Sequence, residues 1–523
     1  MKRLALVVTA AISSFAAACS GGGAPSAPPP PAGNFSNASL KGTYAFSMSG
    51  TDAGVNFGAF IARVGSFTAD GNGNITAALE DVTDAGSLPQ MVPFSGGSYS
   101  IQANGKGRLT LNTAGSALQL SVALISQSAG VMIQTDLNAT SSGSFKLQSP
   151  NAFTRTAIAG SYAYDVSGTI VSTGGPSSVV GQFVADGAGN IQGGLFDSND
   201  AGSLLSAQGI PAGGIYQMDP TNGTNFGRGT MSFAGNSFIF YMVDGTHLKL
   251  IENDGQFATF GDALQQSTTL ATQNSGFKGD FTFLIGGSAV LGTAGPVTRA
   301  AAFTADGVGN VGAIALDDNN AGTHKAITGS TTITNAIYDI DTAHAGSGRG
   351  TCTFTASGNP SLGTFSFVFY LISPTQAFLQ DTSNGIVGDG TMFAQTGSFT
   401  GPGLAGNFIF DWSGIVLGSS QNLTFEEDFV GQYALASSGA IGGVVDFVEL
   451  GSSTRNPAFL NQALTGTLTL SGNGLGSNDY TVTTGGSPQT TFHFKAYIAN
   501  PDLLLLVGVD DNRVIAGSTS FQP

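Results

Sequence analysis

From Leu40 onward, apolar side chains occupy every second position in short runs, the first being Leu40-x-Gly42-x-Tyr44-x-Phe46. A period of two turns one face of an extended segment toward a core and the other outward, which predicts a β-strand. The run returns as Ile158-x-Gly160-x-Tyr162-x-Tyr164, Phe277-x-Gly279-x-Phe281-x-Phe283 and Leu404-x-Gly406-x-Phe408-x-Phe410. A further glycine follows each run, at Gly50, Gly168, Gly287 and Gly414.

Other blocks recur in step with this opener. A hairpin signal, Asp-Gly-x-Gly-Asn, spans Asp70 to Asn74, Asp186 to Asn190 and Asp306 to Asn310, and the fourth copy loses it. A basic residue between glycines follows at Lys106, Arg228 and Arg349, where the fourth copy reads Gly474-Leu475-Gly476. Each unit ends on Gly-x-x-x-x-Gln, closing at Gln148, Gln266, Gln395 and Gln522. The chain therefore contains four tandem units, over 38–149, 156–267, 275–397 and 402–523.

Apolar runs in the second unit predict strands at 158–166, 179–185, 190–197, 213–218, 228–234, 237–243, 247–252 and 258–265. Connections this short join antiparallel neighbours, because parallel crossovers need a dozen or more residues. The fold class expected is all-β: four antiparallel meanders, each an eight-stranded up-and-down barrel, since closure removes exposed edges. A β-sandwich is the alternative. The size and opener are similar to lipocalin and avidin-type barrels, in architecture only. Whether the units form a rod or a cluster is not set by this pattern.

Composition narrows the function classes. The chain has 33 acidic against 17 basic side chains, and loss of Lys2 and Arg3 with an export signal would widen the excess. Such a surface repels nucleic acid and anionic headgroups, so no nucleic-acid partner is expected and membrane contact needs a covalent anchor.

Residues 1–18 supply the means. Lys2 and Arg3 precede the apolar run Leu4 to Ala18, ending in Ala16-Ala17-Ala18 and then Cys19. This resembles the lipobox of bacterial lipoproteins, with Ala16 where leucine is usual. The resemblance implies that Cys19 is diacylated and becomes the new N-terminus, held in the cell envelope, with the outer membrane expected. Residues 19–37, with Gly21-Gly22-Gly23 and Pro28 to Pro31, form a Gly/Pro-rich tether. The repeated motifs also resemble uncharacterised tandem-repeat lipoproteins of acidobacteria.

Candidate chemistry is sparse. Lys106, Arg228 and Arg349 recur with Asp81, Asp197, Asp317 and Asp446. They are speculative binders of an anionic ligand, and more simply an Arg–Asp pair closing one end of each barrel. The Asp-Gly-x-Gly-Asn turns offer too few oxygens for calcium and suit a tight hairpin. His247, His324, His344 and His493 lack metal-ligand spacing. Cys352 and Trp412 align with apolar residues of sister units and are expected in cores. No catalytic residue, metal or cofactor is assigned. The function expected is a non-enzymatic binding or structural module at the cell surface, with an envelope glycan or protein as partner. The alternatives are a carrier of small apolar ligands inside the barrels and a hydrolase using Asp197 and Asp317.

Overall fold

A computed structural model describes residues 33–523 except 55–57, 85, 328–329, 359–361, 398, 419–422, 451–457, 472–475 and 486–488. The export signal, Cys19, most of the tether and Leu475 lie outside the described residues. In the first unit the opening strand Lys41–Asp52 pairs with Phe60–Asp70 on one side and with the closing strand Ala139–Leu147 on the other. The first and last strands thus meet. The openers Ala159–Ile170, Lys278–Ala289 and Gly406–Leu417 meet the closers Phe257–Gln265, Ile386–Ala394 and Arg513–Gln522 in the same way. The architecture is four eight-stranded antiparallel barrels in tandem, and one sheet encircles each core where a sandwich would need two.

The fourth strand sets the copies apart. In barrels 1 to 3 it is broken in two, as Gln90–Phe94 with Gly97–Ile101, Ser203–Ile210 with Gly214–Met218, and Thr323–Ala326 with Thr331–Ile340. The first piece of each pair lies as a flap along the third strand. Barrel 4 has one unbroken strand, Phe459–Thr469. The flap Ser203–Ile210 has no counterpart among the eight predicted strands. Its side chains are almost all exposed, so it carries no alternation to detect.

Each lumen is filled by its own side chains. Tyr44, Phe46 and Phe67 pack in barrel 1, and Phe281, Phe283 and Phe303 in barrel 3. Phe410 and Trp412 stack at 4.1 Å in barrel 4. Room for these rings comes from cross-strand glycines: a Cβ on Gly65 or Gly431 would stand 2.7 or 2.3 Å from the ring of Phe46 or Phe410. Aromatic lids over strand glycines pin the register of curved sheets. Filled lumens overturn the carrier reading, which needs an open cavity.

The barrels form a closed cycle. Each offers its first three strands to the next barrel and receives the previous one on its last three. Barrel 4 meets barrel 1 in the same manner. The two contact faces adjoin around the barrel wall, sharing the seam between opener and closer. Successive copies therefore turn by roughly a quarter circle, and a head-to-tail contact whose rotation closes makes a ring. The seams lie on its inner side.

Candidate functional site between the barrels

The recurring basic and acidic residues meet between barrels, not at the end of one. Arg349 of barrel 3 grips Asp197 of barrel 2 bidentately, at 2.8 and 2.7 Å, and Tyr370 donates to the same carboxylate at 2.7 Å. Asp197 is 2 % exposed. Burial and then the Asp197 charge push the Tyr370 hydroxyl far up, so it stays a donor. Barrels 1 and 2 repeat the arrangement: Arg228 holds Asp81 at 2.8 and 2.9 Å, with Tyr241 at 2.7 Å. The cause is local. The basic residue opens the fifth strand directly opposite the tyrosine of the sixth, so both project from the outer wall side by side. A planar guanidinium facing a carboxylate makes two parallel charge-assisted bonds, which fixes orientation as well as distance.

The other two contacts are altered. Asp317 of barrel 3 accepts from Tyr497 at 2.6 Å and lies 2.8 Å from His324 of its own barrel, with no arginine. The residue beside Tyr497 in the basic position is Ser477, which corrects the alignment on Leu475. Asp446 of barrel 4 meets Lys106 and Arg108 of barrel 1 at 2.7 and 2.5 Å, while Ala123 stands where the tyrosine would be. Burial alone would raise the Asp446 carboxyl, yet Lys106 and Arg108 hold it at about 2.

The terminal glutamines belong to the same contacts. Gln148 donates to Phe226 and Met242 carbonyls of barrel 2, and Gln266 to Ser347 and Leu371 carbonyls of barrel 3. Gln395 donates to Ile498 of barrel 4, and Gln522 returns to Asn104 and Leu124 of barrel 1. The motif that marks each unit's end thus ties it to the next.

Ion pairs do close barrel ends, but with residues that the repeat pattern does not flag. Arg63 meets Glu80 at 2.6 Å in barrel 1, Arg299 meets Asp318 at 2.7 Å in barrel 3, and Arg513 meets Glu427 at 3.4 Å in barrel 4. They escape sequence reasoning because Arg63 and Arg299 share a position in only two of the units, and their acidic partners, like the Arg513–Glu427 pair, lie at positions that do not repeat.

The remaining candidates fall where turn and core chemistry put them. The Asp70 carboxylate accepts from the Asn72 and Asn74 backbone and the Asn74 amide, and Asp186 and Asp306 do the same in their turns. Cys352 and Trp412 are buried. Burial pushes the Cys352 thiol up, away from nucleophilic use. His247, His344 and His493 each pair with one aspartate, Asp262, Asp341 and Asp510. Among the described residues no group of three or more His, Cys, Asp or Glu side chains is placed to hold a metal ion. Asp197 and Asp317 sit at different contacts and share no cleft.

Sequence reasoning missed the acids on the seams. Asp165 with Asp262, Asp389 and Asp411 project from openers and closers toward the middle of the ring. A cavity of about 380 Å³ between the seams of barrels 3 and 4 is bordered by Asp389, Asp411, Leu284, Phe393 and Leu505. Burial raises Asp389 and Asp411 to about 6. Burial and the neighbouring Asp389 and Asp262 lift Asp165 well above the usual range. Burial would also raise Asp262, but Lys249 and His247 outweigh it and hold that carboxyl low. The available signal was an aspartate at an outward position of an opening strand.

No known family model matches the chain, and no curated protein does. Among solved structures, the isotype 1 transferrin binding protein B from serogroup B Neisseria meningitidis aligns at 10% identity and a TM-score of 0.21, covering 75% of this chain and 83% of that one. CghA with Sch210972 aligns at 9% identity and 0.17, covering 70% and 89%. The functional reading of the chain rests on its own residues.

Proposed function

We propose that this is a lipid-anchored cell-envelope protein, held by acyl chains on Cys19, whose ring of barrels is a non-enzymatic binding or structural module. One observation carries the reading. The recurrent charged positions are bonded into contacts between barrels, while most of the exposed large apolar side chains among the described residues lie on or beside the fourth-strand region, where the copies differ. Leu88, Met91, Leu204, Leu205, Ile337 and Leu460 are all more than a third exposed. Leu204, Leu205 and Ile337 border a groove of about 310 Å³ over the Asp197–Arg349 pair. Rigid copies carrying varied flaps suit multivalent contact with an envelope glycan or protein. No helix among the described residues is long and apolar enough to cross a membrane, in keeping with attachment through lipid.

The test is retention of the full-length lipidated chain, in detergent, on isolated envelope glycan and on envelope protein fractions. One of these should retain the wild type, and Leu204→Asp with Leu205→Asp should weaken retention at least about tenfold, the effect of losing roughly 1.4 kcal/mol. Equal retention of wild type and variant, or none of either, would remove the binding reading. Cys19→Ala should shift the protein out of the membrane fraction.

A further inference from the structure

The contact between barrels 4 and 1 closes the ring, and it holds a feature absent from the other three. Asp428 and Glu426 lie two residues apart on the outer face of the second strand of barrel 4, opposite Ser413 and Ile415 of the opener. The same places hold Ala62 and Phe60 in barrel 1, Ser178 and Pro176 in barrel 2, and Thr298 and Pro296 in barrel 3. Across the contact, barrel 1 presents hydroxyls: Ser142 faces Asp428 and Thr51 faces Glu426. Asp428 is fully buried, and neither of its oxygens makes a hydrogen bond of ordinary geometry.

The charged groups bearing on Asp428 are all acids: Glu426, Glu427 and Asp411. The cations nearby are committed elsewhere. Arg513 faces Glu427 inside barrel 4, and Lys106 and Arg108 are spent on Asp446. Two carboxyls side by side without a cation, Asp428 buried and Glu426 half-buried, cannot both ionise cheaply, because each loses hydration and repels the other. Beside them lies an apolar patch in which Ala123, Val131 and Ile133 of barrel 1 meet Ile409, Val430 and Val448 of barrel 4.

We propose that Asp428 and Glu426 form a proton-operated latch: protonated, they let barrel 4 seat on barrel 1, and ionised, they part the two and uncover that apolar patch. The direction follows from linkage. Burial, with the neighbouring acid, lifts Asp428 well above its ordinary value, and burial lifts Glu426 to about 8. The closed contact therefore binds protons more tightly than the open one. The contribution of the two acids is largest below the ordinary carboxylate range and falls as pH climbs above it, and Glu426's share is gone once pH passes about 8.

The test measures a distance. Spin labels on Ser116→Cys and Ser438→Cys of the full lipidated chain in detergent report across the closing contact, and Ser116→Cys with Gln208→Cys reports across barrels 1 and 2. Raising the pH from 5 to 9 should populate a longer distance for the first pair only, the open fraction rising up to about tenfold per pH unit for each group that ionises. Glu426→Gln with Asp428→Asn should stay closed throughout, and Thr51→Lys, which sets a cation against Glu426, should also suppress opening. An unchanged first distance to pH 9 overturns the proposal. So does equal opening in the double variant, or lengthening of both pairs together.

Discussion

Two contacts of one ring carry out the same task with different chemistry. Between barrels 2 and 3, Asp197 is held by a bidentate arginine and a tyrosine. Between barrels 3 and 4, the equivalent Asp317 has the tyrosine and a histidine of its own barrel, and serine replaces arginine. Both contacts form. The arginine is therefore not what makes the barrels adhere; the packed walls and the glutamine ties persist where it is missing. What it adds is a directional pair: Asp197 without the arginine is a buried charge, and Arg349 without Asp197 keeps only the Asp341 carboxylate.

The largest expected effect separates these contacts. Asp197→Ala removes the bidentate partner of Arg349, leaving that guanidinium Asp341 and Ser206 alone, and should lower stability by about 3 kcal/mol, whereas Asp317→Ala takes one acceptor from Tyr497 and His324 and should cost about 1–2 kcal/mol. Urea unfolding of both variants beside the wild type measures the difference, and equal losses would break the distinction.

A second, smaller effect concerns acid. Asp446 is held at about 2 by Lys106 and Arg108, below its ordinary value near 3.8. A depressed carboxyl stabilises above its unfolded value and loses that contribution as pH falls through the folded one. Stability of wild type over Asp446→Asn should be about 2 kcal/mol at pH 6 and fade between roughly pH 4 and 2. Unfolding at stepped pH values reads this directly, and a difference constant down to pH 2 would contradict it. The Asp446 pair thus responds to acid, opposite in sense to the response proposed for Asp428 and Glu426 at the same contact.

The smallest effect comes from a backbone group. Ser149, Ser267 and Thr396, each following its terminal glutamine, donate their N–H to Val243, Ile372 and Ala499 of the next barrel. The fourth glutamine is followed by Pro523, which has no N–H to give. Pro523→Ser should restore the bond and raise stability by up to about 1 kcal/mol. No change in the urea midpoint would show that the closing contact lacks a carbonyl in reach.

The seams and the flaps show where sequence reasoning stopped. The strands of the second unit were legible because Tyr162, Tyr164 and Phe183 alternate with outward residues, and burial on one face leaves that imprint. Ser203–Ile210 was not, because neither of its faces is buried. Asp81 and Arg228 were legible as partners because they recur together. That they belong to different barrels was not, since a repeat of period one unit looks the same whether a residue meets its own copy's partner or its neighbour's. The acids Asp165, Asp389 and Asp428 were invisible for a further reason: each occurs in one or two copies, and an outward aspartate on a strand ordinarily faces water.

By itself the sequence determined the four units and their antiparallel strands, because these depend on alternation and turn residues within a hundred or so neighbours, while the filling of the lumens was decided by how the inward rings and the cross-strand glycines pack. Only the tertiary structure decided that the copies close into a ring, that the glutamines and the Arg–Asp–Tyr clusters stitch one barrel to the next, and that two acids lie side by side at the closing contact. Those outcomes depend on which faces of separate barrels meet and at what angle. No local pattern along the chain encodes that angle; it emerges when two contact faces on one barrel wall lie roughly a quarter turn apart and the rotation closes.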